Sequence, residues 1–153
     1  MAAFCITEAE APQYFGATPF VGTTGANAIT PTAIAAALAT NNVKVTTGST
    51  GTEAGDITVA DALSWSRANS LTLSAAGDIA VNATITNTGG ADVGLRADDR
   101  GTGVGTIGFG VGGSITTTGD VSLYFNPSVT VSGDFKTRAV NPVATELTAL
   151  LGG

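Results

Sequence analysis

Pairs of apolar residues separated by one small or polar residue recur along the middle of the chain. The first pairs begin at Val43, Leu71, Val93 and Val121, which are 28, 22 and 28 residues apart. Alternate residues of a β-strand face opposite sides of a sheet, so each pair points one way and the residue between points the other way. A second pair and a third apolar segment follow each first pair: Ile57/Val59, Ile79/Val81, Ile107/Phe109 and Val129/Val131, then Leu63/Trp65, Ile85, Ile115 and Phe135. Three short strands in each repeat of about 20–30 residues predict a solenoid, in which each repeat forms one rung.

The rungs differ in length mainly at one corner. The first two strands begin 14 residues apart in the first and third rungs but 8 apart in the other two. Six-residue insertions, at about 48–54 and 98–106, account for this difference. Such insertions fall on one face of a solenoid, often its binding face. We expect both to be surface loops, and the second to be dispensable for folding.

The segments on either side of the rungs predict caps. Residues 1–42 hold an irregular or short-stranded segment and then a helix, for which Thr30 is suited as the N-cap and Pro31 as the first residue. The rungs occupy residues 43–136. In residues 137–153 a helical cap is predicted by one apolar stripe, formed by Val143, Leu147, Leu150 and Leu151. The predicted fold is therefore an all-β solenoid, a single-stranded parallel β-helix of about four rungs with short helical or irregular caps at both ends.

Composition limits the function. Charged residues make up 12% of the chain, about half the usual ~25%, and the net charge is −6 with six basic residues. We expect no nucleic-acid partner, because such proteins carry a basic patch. We also expect no membrane span, since no apolar run approaches ~18–20 residues, and no signal peptide at the start of the chain. Histidine is absent, which removes the commonest general base. The single cysteine, Cys5, is interpreted as a small apolar residue, with lipidation or an intermolecular disulfide as alternatives.

One dense charge cluster invites a chemical interpretation. It consists of Asp92, Asp98 and Asp99 with Arg96 and Arg100. Calcium needs six to eight oxygen ligands, and adjacent aspartates on a flexible insertion point in different directions. We therefore interpret the cluster as a solvated loop, ahead of a weak cation site or a catalytic centre. No catalytic, cofactor-binding or metal residue is predicted, and no cofactor.

Other motifs are interpreted structurally. The glycines 101, 103, 105 and 108 lack the Lys-Ser/Thr of a phosphate-binding loop, and Gly-Asp at 55–56, 77–78, 119–120 and 133–134 is typical of corner turns. Trp65 is predicted to lie in the core rather than to stack on sugars, and the face of Tyr124 is ambiguous. Outward hydroxyls at Thr58, Thr72, Ser122 and Thr130 could form a ladder like those of ice-binding solenoids, but Ala80, Gly94 and Gly108 interrupt it.

Residues 43–135 resemble a known repeat. The phrases G-D-I-T-V-A-D-A-L-S-W (55–65), N-S-L-T-L-S-A-A-G-D-I-A-V-N-A-T-I (69–85) and G-S-I-T-T-T-G-D-V (113–121) are similar to the filamentous haemagglutinin-like repeats of large bacterial two-partner-secreted exoproteins. The helical segment before residue 43 is also similar. The resemblance implies a right-handed parallel β-helix, and its members are very long adhesins, surface structures and toxin-delivery rods.

The expected function is structural rather than enzymatic. We expect a β-helical segment of a bacterial cell-surface or secreted protein that acts in adhesion or as a spacer, located outside the cell. Its expected partners are a surface carbohydrate or protein, or other copies of the chain that associate through the β-helix ends. The alternative is a filament subunit that stacks head-to-tail through those ends. A carbohydrate-active enzyme is the least favoured hypothesis.

Overall fold

A computed structural model describes residues 3–6, 20–21, 26–47, 54–102 and 104–124 of the 153-residue chain. These residues are mostly β, with one helix, α1 (Pro31–Leu38). The strands are β1 (Ala3–Ile6), β2 (Phe20–Val21), β3 (Ala26–Ile29), β4 (Val43–Thr46), β5 (Ile57–Val59), β6 (Leu63–Trp65), β7 (Leu71–Ser74), β8 (Ile79–Val81), β9 (Thr84–Asn87), β10 (Val93–Arg96), β11 (Ile107–Phe109), β12 (Ser114–Thr116) and β13 (Val121–Tyr124).

The strands form three sheets in which every neighbouring pair is parallel. Sheet A has the order β3-β1-β5-β8-β11, sheet B the order β2-β4-β7-β10-β13, and sheet C the order β6-β9-β12. From β4 onward the chain visits sheets B, A and C in that order three times and then returns to sheet B with β13. One such visit is called a pass below. The three strands of each of the first three predicted repeats therefore lie in three different sheets.

Equivalent residues of successive passes are direct partners. In sheet B, Val43 pairs with Leu71, Leu71 with Val93, and Val93 with Val121. The same holds in sheet A for Ile57, Ile79 and Ile107, and in sheet C for Leu63, Ile85 and Ile115. The alignment predicted from the spacing of the apolar pairs is confirmed in all three sheets.

Alternation along the strands places the apolar pairs in a common core. In β8, Ile79 and Val81 are buried, whereas Ala80 between them is half-buried on the other face. The core cluster takes buried residues from all three sheets and from α1. Burial of each such side chain contributes roughly 1.5–3 kcal/mol before the entropy of ordering is counted.

A buried polar side chain stabilises the corner that follows sheet C. Asn87, at the end of β9, donates through Nδ2 to the carbonyl oxygens of Trp65 (3.1 Å) and Arg67 (2.9 Å). Its Oδ1 accepts from the backbone N–H groups of Gly89 and Ala91, both at 2.8 Å. The amide therefore has a partner for each of its two donors and two acceptor sites, so its burial leaves no polar group without a hydrogen bond.

The helix before the first pass begins as the sequence predicts. The side chain of Thr30 accepts a hydrogen bond from the N–H of Ala33 at 3.0 Å, and Pro31 is the first helical residue. Ile34 and Leu38 on α1 are fully buried, and α1 packs against β6. The end of α1 is held to the corner between β6 and β7, because Asn69 Nδ2 donates a hydrogen bond to the carbonyl oxygen of Leu38 at 2.8 Å.

Part of the N-terminal segment continues the sheets, although the sequence pattern did not match it to the rungs. Strand β1 lies beside β5, with Ile6 opposite Val59, and β2 lies beside β4. Ile6 is fully buried. Phe4 and Ile6 are separated by one residue, as in the later apolar pairs. No second pair follows them at the 8- or 14-residue distance that identifies a rung, so the sequence did not mark this strand.

Several sequence predictions concern residues outside the described part. They are residues 48–53 of the first insertion, Gly103, the fourth-rung residues Val129, Val131 and Phe135, the outward Thr130, the Gly-Asp at 133–134 and the cap stripe of Val143, Leu147, Leu150 and Leu151. Within the described residues, no helix has both the length and the hydrophobicity needed to span a membrane.

Candidate functional site

The second insertion packs against the neighbouring pass. The N–H of Asp98 donates to the carbonyl oxygen of Gly77, and the N–H of Asp99 to that of Ala75, both at 2.9 Å. Asp98 is fully buried. Our interpretation of this insertion as a solvated loop is therefore wrong for its first residues, because two backbone hydrogen bonds fix them to the corner between β7 and β8.

The side chain of Asp98 shapes the turn that follows. Its Oδ1 accepts hydrogen bonds from both the N–H (2.7 Å) and the hydroxyl (2.8 Å) of Thr102. The backbone of Asp98 has a φ of 49°, in the left-handed region, where aspartate is tolerated because its short side chain bonds locally. A carboxylate that accepts two hydrogen bonds is satisfied without solvent. Asp98 is thus a structural residue of the turn.

Gly105 closes the insertion against the same corner. A side-chain carbon at this position would lie 2.5 Å from the carbonyl oxygen of Gly77 and 2.7 Å from the backbone nitrogen of Asp98. Only glycine allows this close approach of two backbone segments. The glycines of the insertion therefore include one required for packing, while Gly108 lies in strand β11 as predicted.

A cleft of about 330 Å³ lies at this corner, between the second insertion and the segment that begins at Ala54. Its lining combines acidic, basic, hydroxyl and apolar groups: Ala54, Asp56, Ala76, Gly77, Asp78, Arg100, Thr102, Val104 and Gly105. Arg100 and Thr102 are exposed, and Val104 is 81% exposed. Such a mixture can form several hydrogen bonds to a polar ligand and cover one small apolar face of it.

The two carboxylates of the cleft also have a structural role. Asp56 Oδ1 accepts from the N–H of Asp78, and Asp78 Oδ1 accepts from the N–H of Thr106, both at 2.8 Å. Each aspartate thus joins its own corner to the equivalent position of the next pass. Each of these hydrogen bonds uses Oδ1, so Oδ2 of each aspartate is the carboxylate oxygen that could contact a ligand.

The structure divides the charge cluster seen in the sequence. Asp92 precedes β10, and its Oδ1 accepts from the N–H of Asp120 at 2.9 Å. Asp98 and Asp99 follow the same strand at its other end, where Asp99 accepts from the hydroxyl of Ser74 at 3.0 Å and Arg96 Nη2 donates to the carbonyl oxygen of Asp99 at 3.4 Å. Among the described residues, no group of three or more acidic, histidine or cysteine side chains could hold a metal ion. The weak cation site has no support in this part of the chain.

Other candidate residues have defined places. Trp65 is 7% exposed and donates through Nε1 to the carbonyl oxygen of Asn69 at 2.9 Å, so the predicted core position is confirmed. Tyr124 is half-buried and lies opposite Arg96. The proposed hydroxyl ladder is interrupted as expected, because Thr58 pairs with Ala80 in sheet A and Thr72 with Gly94 in sheet B.

Cys5 lies in β1 and is partly buried. Burial raises the pKa of its thiol above the ordinary value, and the negative charge of Asp61 raises it further. A thiol with a raised pKa is a weak nucleophile at neutral pH, because the thiolate is the reactive form. Its chemistry therefore agrees with the interpretation of Cys5 as a packing residue.

The sequence did not identify Asp56 and Asp78 as members of one site. A signal was present, because Gly-Asp occurs immediately before two second strands that begin 22 residues apart, which places both aspartates at the same corner. Comparisons of the chain with protein-family models, curated proteins and solved structures found no match.

Proposed function

We propose that the three parallel sheets close into one right-handed, single-stranded parallel β-helix, and that this rod is a structural and adhesive segment of a bacterial cell-surface or secreted protein. The observation that supports it best is the register: each inward position recurs opposite its equivalent through every pass. Right-handedness is proposed because connections between parallel strands of one sheet are right-handed in about 98% of cases. A crystal structure of the chain would test the closure and the hand together.

The similarity of residues 43–135 to filamentous haemagglutinin-like repeats supports the same proposal. Residues 69–85 include β7, β8 and part of β9, so the resembling phrase covers one strand from each sheet. Adhesion is proposed over catalysis because the carboxylates at the corners accept backbone hydrogen bonds along the stack. A residue held in this way maintains the shape of the rod.

The corner cleft is the proposed contact with a surface carbohydrate or protein. The second insertion and Ala54, the last residue of the first insertion, line it, and rung-specific insertions often form the binding face of a solenoid. Arg100 is exposed at this cleft and Asp78 offers a carboxylate oxygen. Polar groups on a rigid scaffold are suited to hydrogen bonding with sugar hydroxyls.

A printed glycan array, probed with the labelled chain, tests this contact. Arg100→Ala should weaken binding to any glycan that the unmodified chain binds. Asp78→Asn should weaken it as well, although the amide oxygen can still accept the hydrogen bond from the N–H of Thr106. Lys44→Ala on sheet B is the control, since Lys44 is exposed and lies outside the cleft. Unchanged binding of both cleft variants would move the contact elsewhere. If the chain bound neither the array nor fixed host cells, an adhesive role would be contradicted.

The second candidate is a filament subunit. Among the described residues, Phe109, Ile115 and Val121 of the last strands are only partly buried, whereas their partners Val81, Ile85 and Val93 are buried. In a parallel β-helix another copy can continue the stack at an end that no cap covers, because the strand edges there are unpaired. Negative-stain images separate the two candidates: dispersed particles support the adhesive rod, and ordered filaments support self-assembly.

Truncation after Arg138 adds a second readout to these images. If the residues beyond it protect the end of the rod, light scattering of the truncated chain should rise over a concentration series. If they instead form the assembly contact, the full chain should make filaments that the truncation abolishes.

A further inference from the structure

Strand β1 lies out of sequence order in sheet A. The chain runs from β2 in sheet B to β3 in sheet A, then through α1, which packs against β6 of sheet C, and returns to sheet B with β4. Because β2 lies directly beside β4, the same stacking would place β3 directly beside β5. Strand β1 lies between them instead and pairs with both. The order of the other elements is regular, and β1 is a strand inserted into it.

The inserted strand makes the contacts that a strand of a complete pass would make. Ile6 lies opposite Val59, and both are fully buried. The carbonyl oxygen of Ile6 accepts hydrogen bonds from the N–H groups of Ala60 (2.9 Å) and Asp61 (3.1 Å). One pass later, the carbonyl oxygen of Val59 accepts from the N–H of Asn82 at 2.9 Å. The position of β1 in the sheet is therefore fixed by the sheet itself.

No local connection ties β1 to the strands on either side of it. In sequence, 19 residues separate β1 from β3 and 50 separate it from β5. The 13 residues 7–19 join β1 to β2, and a link of this length can span up to about 45 Å. That reach is many times the ~4.8 Å between neighbouring strands, so it extends to a second molecule in contact with the first. The contacts of β1 are the same whichever molecule supplies it.

The slot between β3 and β5 matches the sequence of β1. On its inward side Ile29 and Val59 are both buried, and both lie opposite Ile6. On its outward side the uncharged Cys5 lies opposite Thr58. When a strand is added to a sheet, the main-chain hydrogen bonds provide affinity and the alternate side chains provide specificity. A second copy of the chain carries the strand that satisfies both requirements.

We propose that two copies of the chain exchange β1, so that each strand is inserted between β3 and β5 of the other copy. The exchanged pair keeps every contact of β1 and loses only the advantage of an intramolecular connection. A flexible link gives an effective concentration in the mM range, so exchange should involve roughly a tenth of the chains at about 0.1 mM. The contact lies at the end of sheet A opposite to β11. It depends neither on adhesion nor on stacking through the last strands.

Cys5 supplies a probe for this exchange. Thr58→Cys places a second thiol directly opposite Cys5, with Cα atoms about 4.8 Å apart, a distance that a disulfide can bridge. Ala80→Cys is the matched control, because Ala80 lies one strand beyond Thr58 and its Cα lies more than about 7 Å from that of Cys5. Unlabelled and nitrogen-15-labelled chains are mixed, incubated reduced and then oxidised. Mass spectrometry of the linked peptides separates mixed-label pairs, which join two molecules, from same-label pairs.

The proposal expects mixed-label pairs for T58C, and their ratio to same-label pairs should rise about tenfold for a tenfold increase in chain concentration. A80C should give at least about tenfold fewer, since its thiols lie too far apart. Same-label pairs alone at both concentrations would overturn the proposal, because β1 would then stay in its own chain. An equal yield from A80C would also overturn it, because random collision would explain the product. A folded T58C chain with neither kind of pair would remove β1 from the slot.

A second measurement leaves the chain unmodified and applies even if T58C does not fold. A fluorescent peptide of residues 2–8 is added to the full chain, and its uptake is followed by fluorescence polarisation. The proposal expects slow uptake that an excess of unlabelled peptide reverses. The same peptide with Ile6→Asp should not be taken up, because it would bury a carboxylate beside Val59. No uptake of the unmodified peptide, or equal uptake of both peptides, would overturn the exchange.

Discussion

Asp56 accepts a hydrogen bond through Oδ1 from the backbone N–H of Asp78, 2.8 Å away, at the equivalent corner of the next pass. The same relationship joins Asn42 to Ser70 and Asp92 to Asp120, both at 2.9 Å. In each case a side-chain oxygen satisfies a backbone donor where the chain turns into a strand. The corner residues therefore connect successive passes just outside the strands, where the sheet pairing begins.

Removal of one such acceptor should cost a measurable part of the stability. Asp56→Ala leaves the N–H of Asp78 to solvent, so we expect the free energy of unfolding to fall by about 0.5–1.5 kcal/mol. Asp56→Asn keeps an oxygen at the same position, as Asn42 does naturally, and should stay within about 0.5 kcal/mol of the unmodified chain. Urea unfolding measures both. Equal losses for the two variants would show that the charge, and not the hydrogen bond, is responsible.

The two faces of a strand should respond oppositely to one substitution. Leu73 is fully buried, so Leu73→Asp places an unpaired carboxylate in the core and should prevent folding or cost several kcal/mol. Thr72 is half-buried beside Lys44, and Thr72→Asp should be nearly neutral. Thermal unfolding, monitored by circular dichroism, distinguishes the two variants. Similar losses at both positions would mean that the assignment of inward and outward faces is wrong.

The second insertion should matter for folding, contrary to the expectation from its length. Asp98→Ala removes the acceptor for two hydrogen bonds from Thr102, and we expect a loss of about 2–3 kcal/mol, typical of a hydrogen-bonded buried carboxylate. Val104→Ala, at a position of the same insertion that is 81% exposed, should change stability by less than about 0.5 kcal/mol. Deletion of residues 98–105 should be at least as harmful as D98A. A deletion variant with the same melting temperature as the unmodified chain would restore the surface-loop interpretation.

The thiol of Cys5 should react slowly in the folded chain. Its pKa is raised by burial and then by the charge of Asp61, so the neutral thiol persists to higher pH than in the unfolded chain. The pH at half-maximal rate of alkylation by iodoacetamide should therefore be higher in buffer than in urea. Asp61→Asn should lower that midpoint part of the way. A midpoint in buffer at or below the one in urea would contradict the assigned environment.

The strands and their register could be predicted from the sequence because the apolar pairs recur in the same order and their spacing varies mainly at one corner. Strand β1 was missed because only Phe4 and Ile6 mark it, far from their partners in β5. The burial of Asp98 could not be read from the sequence, since it depends on carbonyl groups of another pass.

Disulfide formation between stacked positions tests the proposed β-helix most directly. Three pairs of outward residues, one per sheet, are direct partners in adjacent strands: Lys44 with Thr72, Thr58 with Ala80, and Ser64 with Thr86. Neighbouring strands place such Cα atoms about 4.8 Å apart, within the range that a disulfide allows. Each pair is changed to cysteine in the Cys5→Ser background, and intramolecular oxidation is measured by mass spectrometry.

Thr58→Cys with Gly108→Cys is the control for this measurement, because these residues lie two strands apart in sheet A and exceed about 7 Å. The proposed stacking predicts oxidation of all three adjacent pairs within one molecule and none of the control pair. Failure of any one adjacent pair in a folded variant, or equal oxidation of the control, would contradict a chain that passes through all three sheets in register.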